Sequence, residues 1–203
     1  MQKTVNHLLK NLEKRKIGAK YFDSVDAAKK EILAELNSCE DVGIGGSKTI
    51  MDMELHKDLK EAGKNIYWHW LVKADEQEDV RRKALNSDVY LSSTNAITMD
   101  GELVNIDGIG NRVSGMYYGP KKVIVICGIN KICSDIISAC DRIKTKACPP
   151  NAKRLGLQTP CAITGVCNDC QSKERMCNIT VIINHKPMLT DLNVYIVGEN
   201  LGF

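Results

Sequence analysis

The sequence predicts an α/β protein in which a mainly parallel sheet is flanked by helices. Short apolar runs of strand length alternate along the chain with segments in which apolar residues recur at helical spacing. The run KVIVIC at 122–127 is almost continuously apolar, as in a strand that is buried on both faces of a parallel sheet. With 203 residues the chain can form one domain with a full core, so we expect a single domain over residues 1–203.

The first half of the chain is predicted to alternate between helices and strands. Apolar residues at helical spacing indicate an amphipathic helix over 3–16, which ends before Gly18. Asp23 or Ser24 can cap a second helix, whose apolar stripe runs to Leu36. The other predicted elements are an extended piece at 20–22, a buried strand at 41–46 (DVGIGG), a helix at 47–60, a strand at 66–70 and a helix at 76–85.

Residues 88–107 carry a hairpin pattern, because Asp100-Gly101 separates two β-rich runs. Asp-Gly favours a two-residue type I′ turn, which would place Met99 opposite Glu102. In that register one face of the hairpin is mainly core and the other is small and polar. The residues predicted to share the polar face include Thr94, Asn105 and Asp107.

The second half is predicted to continue with another strand followed by a helix. The predicted elements are a glycine-rich connection at 108–119, a strand at 122–127, a helix at 132–144 and two last strands at 179–184 and 193–198. Pro149-Pro150 is expected to break the chain before a cysteine-bearing segment at 151–178.

Charge and cysteine content exclude several classes of protein. The net charge is +3 and the basic residues are spread along the chain, so no nucleic-acid partner is expected. No apolar run approaches the roughly 18 residues that a membrane-spanning helix needs, and charges interrupt the first leucines. We therefore expect no membrane insertion and a cytoplasmic location. Nine cysteines in a chain of this length do not fit a secreted disulfide framework.

Several long segments resemble the LUD (lactate utilisation) domain family, formerly a domain of unknown function. They are GIGGSKTIMDMEL at 43–55, the block at 86–132, PCAITGVCNDCQSKERMCN at 160–178 and the ending VYIVGENLGF. The resemblance implies a fold like that of ribose-phosphate isomerases, glucosamine-phosphate deaminases and CoA transferases. It also implies a link to bacterial lactate oxidation, in which LUD proteins work with iron-sulfur partner proteins.

A glycine-rich corner between a strand and a helix is the first candidate binding site. Backbone N–H groups at such a corner, together with the helix dipole, favour a small anionic metabolite such as a carboxylate or phosphate. The alternative is a tight turn in which Ser47 only caps the helix. Walker spacing is absent, so no nucleotide cofactor is predicted. The candidate residues are Gly45, Gly46, Ser47, Lys48 and Thr49.

The end of the predicted hairpin is the second candidate, and we expect it to open into the same cleft as the glycine corner. Asp107 could act as an acid or base and Arg112 could clamp an anionic substrate. Glu54, on the helix after the glycine corner, is a possible second carboxylate, although a solvated helix glutamate is the alternative. A glycine turn with local Asn and Asp hydrogen bonds would also explain the pattern. The remaining candidate ligand-binding residues here are Thr94, Asn105, Gly108, Gly110 and Asn111.

Four cysteines within seventeen residues predict a metal site over 160–178. Their spacing is C-x5-C-x2-C-x6-C, and four thiolates can hold either tetrahedral zinc or a [4Fe-4S] cluster. Free thiols, or a redox pair at the central C-x-x-C, are the alternatives. The four predicted metal ligands are Cys161, Cys167, Cys170 and Cys177.

Three functions are compatible with these patterns. The first is an enzyme or enzyme subunit that handles a small anionic metabolite in lactate utilisation. The second is a non-catalytic iron-sulfur subunit for electron transfer or assembly, with iron-sulfur redox partner proteins. The third is a zinc-stabilised binding or regulatory module. The paired aromatics Tyr117-Tyr118 and exposed strands also make a homodimer plausible.

Overall fold

The computed structural model describes residues 2–203, which form two β-sheets and their flanking helices. The strands of this part of the chain are β1 (Gly18–Phe22), β2 (Asp41–Ile44), β3 (Asn65–Tyr67), β4 (Val89–Ser92), β5 (Ala96–Thr98), β6 (Leu103–Asp107), β7 (Lys122–Gly128), β8 (Ile132–Cys133), β9 (Ile179–Ile183) and β10 (Asp191–Val197). The helices are α1 (Gln2–Lys14), α2 (Val25–Glu35), α3 (Lys48–Asp52), α4 (Leu55–Glu61), α5 (Gln77–Leu85), α6 (Asn111–Tyr117), α7 (Ile136–Arg142), α8 (Cys148–Arg154) and α9 (Pro160–Thr164). None of these helices is both long and apolar enough to cross a membrane.

The main sheet has six parallel strands in the order β1-β10-β7-β4-β2-β3. The central strand β7 alternates its side chains between two buried layers: Ile124 and Ile126 face a layer formed with α2, α3 and α4. Val123 and Val125 face a layer formed with α1, α6 and the second sheet. Apolar residues therefore cover both faces of the sheet, which explains the continuous apolar run. The predicted α/β fold with a mainly parallel sheet flanked by helices is confirmed.

The second sheet is smaller and has the order β8-β5-β6-β9. Strands β5 and β6 form the predicted antiparallel hairpin, but Ile97 pairs with Leu103, so the predicted register is wrong by one residue. Glu102 instead lies opposite Thr98, whose N–H donates to the Glu102 carbonyl over 3.0 Å. The turn thus has three residues and ends at Gly101, whose positive φ of 94° is typical of a type I turn with a glycine bulge.

Three other predictions about local structure are wrong. The β-rich run at 88–99 is divided between β4 in the main sheet and β5 in the second sheet. The glycine-rich connection contains a helix, α6, which begins after Gly110. The predicted strand at 66–70 ends at Tyr67, and a 3₁₀ turn over His69–Leu71 follows it.

The prolines at 149 and 150 lie inside a continuous helical segment and do not break the chain. Helix α7 passes into a π-helical turn over Ile143–Ala147 and then into α8, in which the two prolines occupy the first turn. Proline lacks an N–H and clashes with the carbonyl four residues earlier. In the π turn the backbone hydrogen bonds span five residues instead of four, and this wider turn accommodates both prolines without ending the helix.

Candidate functional site

An open cleft of about 390 Å³ lies at the carboxyl ends of four parallel strands, β2, β3, β4 and β7. Ligands of α/β proteins bind at this edge of the sheet because loops and helix starts converge there. The other wall comes from the end of β6, the start of α6 and one face of α8. The cleft thus brings the glycine corner and the segment around Asp107 and Arg112 together, as the sequence analysis expected.

Residues 46–49 of the glycine corner line the cleft. Gly45 N–H donates to the Leu91 carbonyl over 3.0 Å, but the amides of 46–49 donate to no acceptor within residues 2–203. The first amides of a helix have no intrahelical acceptor, which explains why these donors are free. Ser47 Oγ accepts from the Ile50 N–H over 3.2 Å, so this hydroxyl is the helix cap that the alternative interpretation required.

The two glycines of the corner have different surroundings. A Cβ on Gly45 would lie 2.8 Å from the Tyr90 hydroxyl and 2.9 Å from Arg112 Cγ, so any side chain there would collide with buried groups. A Cβ on Gly46 would lie 3.4 Å from Trp70 Cζ2, an ordinary contact at the cleft surface. Gly45 is therefore required for packing, whereas a side chain at Gly46 would only narrow the cleft.

Arg112 is buried and its guanidinium is saturated by the protein. Nη1 donates to the Ser93 carbonyl and Asn105 Oδ1, and Nη2 donates to Asn95 Oδ1 and the Ile106 carbonyl, over 2.7–3.1 Å. Nε lies 3.2 Å from Asp107 Oδ2. The four Nη N–H groups are thus hydrogen-bonded and Nε is ion-paired with Asp107, so Arg112 holds the end of the second sheet against β4 and is not placed to clamp a ligand.

Asp107 lines the cleft but is also held by the protein. Its Oδ1 accepts the Gly110 N–H over 2.9 Å, while Oδ2 is buried, pairs with Arg112 Nε and accepts no well-aligned hydrogen bond. Asn105 is fully buried behind it, and Thr94 donates to the carbonyls of Ala96 and Val104. These predicted binding residues therefore shape the cleft wall. Of the remaining predicted residues, Gly108 and Asn111 line the cleft and Gly110 lies behind it.

Glu54 lies away from the cleft. Its carboxylate is 59% exposed and pairs with Lys57, so the solvated alternative describes it. The Lys57 ammonium holds the pKa of Glu54 below its usual value. The prediction that Glu54 reaches the cleft as a second carboxylate is wrong, because the short helix α3 ends at Asp52 and Glu54 has a left-handed backbone (φ 52°) that turns α4 to the surface.

Lys131, which the sequence analysis missed, is a buried cation in the cleft wall. It is 4% exposed, and Nζ donates to Thr49 Oγ1 over 2.8 Å and to Ser93 Oγ over 2.9 Å. It makes no salt bridge within residues 2–203, and one of its three N–H groups remains free. Desolvation lowers the pKa of Lys131 to about 8, so the amine is still mainly protonated at pH 7.

The part of the cleft beside Gly46 is aromatic and cationic. The Arg154 guanidinium stacks 4.3 Å from the centroid of the Trp70 ring, and Nη2 donates to Asn151 Oδ1 over 2.8 Å. Arg81 Nε is buried without a hydrogen-bond partner in the described chain. Burial, reinforced by Arg81, lowers the pKa of His69 to about 4, so this imidazole is neutral at pH 7.

The four predicted metal ligands do not come together as a metal centre. Within residues 2–203 no group of three or more His, Cys, Asp or Glu residues is placed to hold a metal ion. Cys161 Sγ lies 3.3 Å from Thr159 Oγ1 at the start of α9, and the Cys170 carbonyl accepts from Arg175. Cys177 instead lies beside Cys148, with the two Sγ atoms 3.5 Å apart. The zinc or iron-sulfur site over 160–178 therefore stays a prediction.

Comparison with known proteins agrees with this architecture. The family model described as the LUD domain matches residues 5–197. The chain belongs to the LUD domain family. The crystal structure of a duf162 family protein from Deinococcus radiodurans matches with a TM-score of 0.55 and 10% identity, covering 97% of this chain and 98% of that one. At that identity the likeness establishes the fold of this LUD domain alone. No curated protein matches the sequence.

Lys131 could have been found from the sequence only by its position. It lies in the stretch GINK, at the end of the apolar strand β7. A lysine in a connection after a strand is normally exposed to solvent. Its burial depends on Thr49 of α3 and Ser93 after β4, which are 82 and 38 residues away along the chain, respectively. No local pattern carries this information.

Proposed function

We propose that this LUD domain binds a small anionic metabolite, a carboxylate or phosphate, in the cleft at the carboxyl ends of the main-sheet strands. The single observation that carries the proposal is Lys131, a buried cation without a carboxylate partner that lines the cleft together with the free amides of 46–49. A buried charge is costly unless it is compensated, and an anionic ligand would supply that compensation.

The charge of the lining supports an anion. Among residues 2–203 one acidic side chain, Asp107, lines the cleft, and Arg112 already neutralises it. The cationic side chains that line the cleft are Lys48, Arg81, Arg112, Lys131 and Arg154. An anion at the glycine corner would accept from the amides of 46–49 and from the third N–H of Lys131, a combination that is typical of phosphate and carboxylate sites.

The family suggests the setting of this binding. We place the anion among the small carboxylates and phosphates of lactate utilisation, in which the domain would act as a subunit of an oxidoreductase system. The family resemblance also implies a fold like that of ribose-phosphate isomerases, glucosamine-phosphate deaminases and CoA transferases. This more specific fold assignment stays a prediction. Iron-sulfur or zinc binding at Cys161, Cys167, Cys170 and Cys177, and the electron-transfer and zinc-module functions built on it, also stay predictions.

Calorimetric titration with lactate, pyruvate and inorganic phosphate tests the proposal. We expect at least one of these anions to bind the wild-type protein, and Lys131→Met to weaken that binding by about tenfold or more, since hydrogen bonds to charged groups contribute roughly 1.5–3 kcal/mol. Lys153→Met is the matched control, because Lys153 is an exposed lysine on α8 that does not line the cleft. It removes the same charge and should leave the affinity within about twofold.

Two results would contradict the proposal. One is that none of the three anions binds the folded protein. The other is that Lys131→Met and Lys153→Met bind equally well, which would show that the general positive charge of the protein, and not the buried amine, attracts the anion.

A further inference from the structure

Cys148 and Cys177 form a close thiol pair in the wall of the cleft. Their Sγ atoms are 3.5 Å apart, although the residues come from α8 and from the segment before β9. Cys148 is 5% exposed, whereas Cys177 is half-buried, and both line the cleft. All nine cysteines are reduced in this structure.

The separation of the two sulfurs is close to that needed for a bond. A disulfide requires about 2.05 Å between the sulfurs, and rotation of the two side chains together with a small shift of Cys177 toward α8 can supply that difference. The two cysteines also differ in access: a reagent can reach the half-buried Cys177, while Cys148 lies behind it. This asymmetry is typical of an attacking and a resolving cysteine.

We propose that Cys148 and Cys177 form a reversible disulfide by exchange with a low-molecular-weight disulfide. Cys177, as the thiolate, attacks one sulfur of the reagent, which breaks its S–S bond, releases one thiolate and leaves a mixed disulfide on Cys177. Cys148 then loses its proton and attacks the Cys177 sulfur, which displaces the second thiolate. The protein dithiol loses two electrons and two protons, and the reagent is reduced to two thiols.

The bond would act on the loop that carries Asp107. Asn178, next to Cys177, donates its N–H to the Asp107 carbonyl over 3.0 Å and its side-chain amide to the Gly108 carbonyl over 3.3 Å. Gly108 also packs closely against Met176, since a Cβ there would lie 3.1 Å from the Met176 carbonyl oxygen. A shift of Cys177 toward α8 therefore moves the Asp107 side of the cleft, and the disulfide links the redox state to the shape of the site.

Thiol labelling with mass spectrometry tests the proposal on the full chain. After treatment with oxidised glutathione, we expect Cys148 and Cys177 to become protected from alkylation together, joined in one peptide pair, and dithiothreitol to restore both. In Cys148→Ser the reaction should stop at a mixed disulfide on Cys177. Cys140→Ser is the matched control, because Cys140 lies on α7 outside the cleft and should leave the pair unchanged.

Hydrogen exchange of the peptide spanning 106–112 supplies the second readout. Its exchange rate should differ between the oxidised and reduced protein, whereas the rate of α2 should not. Protection of other cysteines in place of this pair, an unchanged 106–112 peptide, or iron or zinc held by Cys177 in anaerobically purified protein would overturn the proposal. None of these measurements depends on whether an anion binds.

Discussion

Arg112 and Lys131 are both buried cations that line the same cleft, yet their surroundings differ. Arg112 directs its five N–H groups to two carbonyls, two asparagine side chains and Asp107. Lys131 contacts two neutral hydroxyls and no carboxylate in the described chain. A fully paired cation stabilises the fold, whereas a partly paired one retains the capacity to bind. The difference separates the structural part of the cleft from the part that we propose binds an anion.

The largest effect is expected from Arg112→Met. This substitution leaves the Asp107 carboxylate without its cationic partner and removes one donor from each of two asparagine oxygens, so we expect a loss of about 3–5 kcal/mol in the free energy of unfolding, measured by urea denaturation. Arg82→Met is the control, because Arg82 is 73% exposed on α5. Its effect should be below about 0.5 kcal/mol. If Arg112→Met also lowered the free energy of unfolding by less than about 0.5 kcal/mol, the distinction between Arg112 and Lys131 would fail.

Lys131→Met is expected to act in the opposite direction and to stabilise the protein at pH 7. The folded pKa of Lys131, about 8, lies below the ordinary value of 10.5, so the unfolded state binds more protons between these values. The cost of burying the charge is therefore fully present below pH 8 and is lost as the pH rises to 10.5. We expect a gain of about 1–3 kcal/mol at pH 7, since each pKa unit corresponds to about 1.4 kcal/mol.

Urea denaturation of both proteins between pH 7 and 10.5 measures this effect. The stability of the wild-type protein should rise relative to Lys131→Met across the window, and the difference should close at its upper end. A pH-independent difference would mean that Lys131 is not a buried cation, and the contrast with Arg112 would fail.

Gly45 and Gly46 show the same contrast between a packing role and a binding role, and the expected changes in stability are smaller than for the two cations. Gly45→Ala introduces a methyl group 2.8 Å from the Tyr90 hydroxyl, so we expect a loss of about 1–2 kcal/mol in thermal or urea denaturation. Gly46→Ala meets only ordinary contacts at Trp70 and should change stability by less than about 0.5 kcal/mol. Gly46→Ala should nevertheless weaken anion binding in the calorimetric titration. Equal stability of the two variants would contradict the packing described for Gly45.

Glu54→Gln is expected to have the smallest effect. Because Glu54 is exposed and pairs with Lys57 outside the cleft, the anion affinity should equal that of the wild-type protein within the error of the titration. A clear change in affinity would restore Glu54 as a residue of the site and would show that the acidic content of the cleft has been underestimated.

Local patterns predicted most of the fold because they depend on residues close in sequence. Apolar runs placed β2 and β7 correctly, because a strand that is buried on both faces of a parallel sheet is apolar along its length. Apolar residues at helical spacing placed α2 correctly. The hairpin register failed at Asp100-Gly101, where a three-residue turn with a glycine bulge and a two-residue turn use the same dipeptide. In the observed register the side chains of Asn95 and Asn105 both accept from Arg112, whereas the predicted register placed Thr94, and not Asn95, on the face of Asn105.

The site was less predictable because its chemistry depends on distant contacts. The sequence brought the glycine corner and the Asp107 segment into one hypothesis, and both line the cleft. It could not show that the Arg112 N–H groups are engaged within the protein, since two of their acceptors are the backbone carbonyls of Ser93 and Ile106, whose positions follow from the fold. The sequence did not point to Cys148, because Pro149-Pro150 predicts a break in the chain there, whereas the structure places Cys148 on a helix.

The π turn before α8 sets which side chains that helix contributes to the cleft. Cys148, Asn151, Arg154 and Leu155 form one stripe at helical spacing, and the stripe faces the cleft. Each residue added to or removed from a helix rotates everything beyond it by about 100°. A deletion of one residue in 143–146 would therefore turn this stripe away and place Pro149 and Ala152 on the side that faces the cleft, without altering a single residue that touches the site.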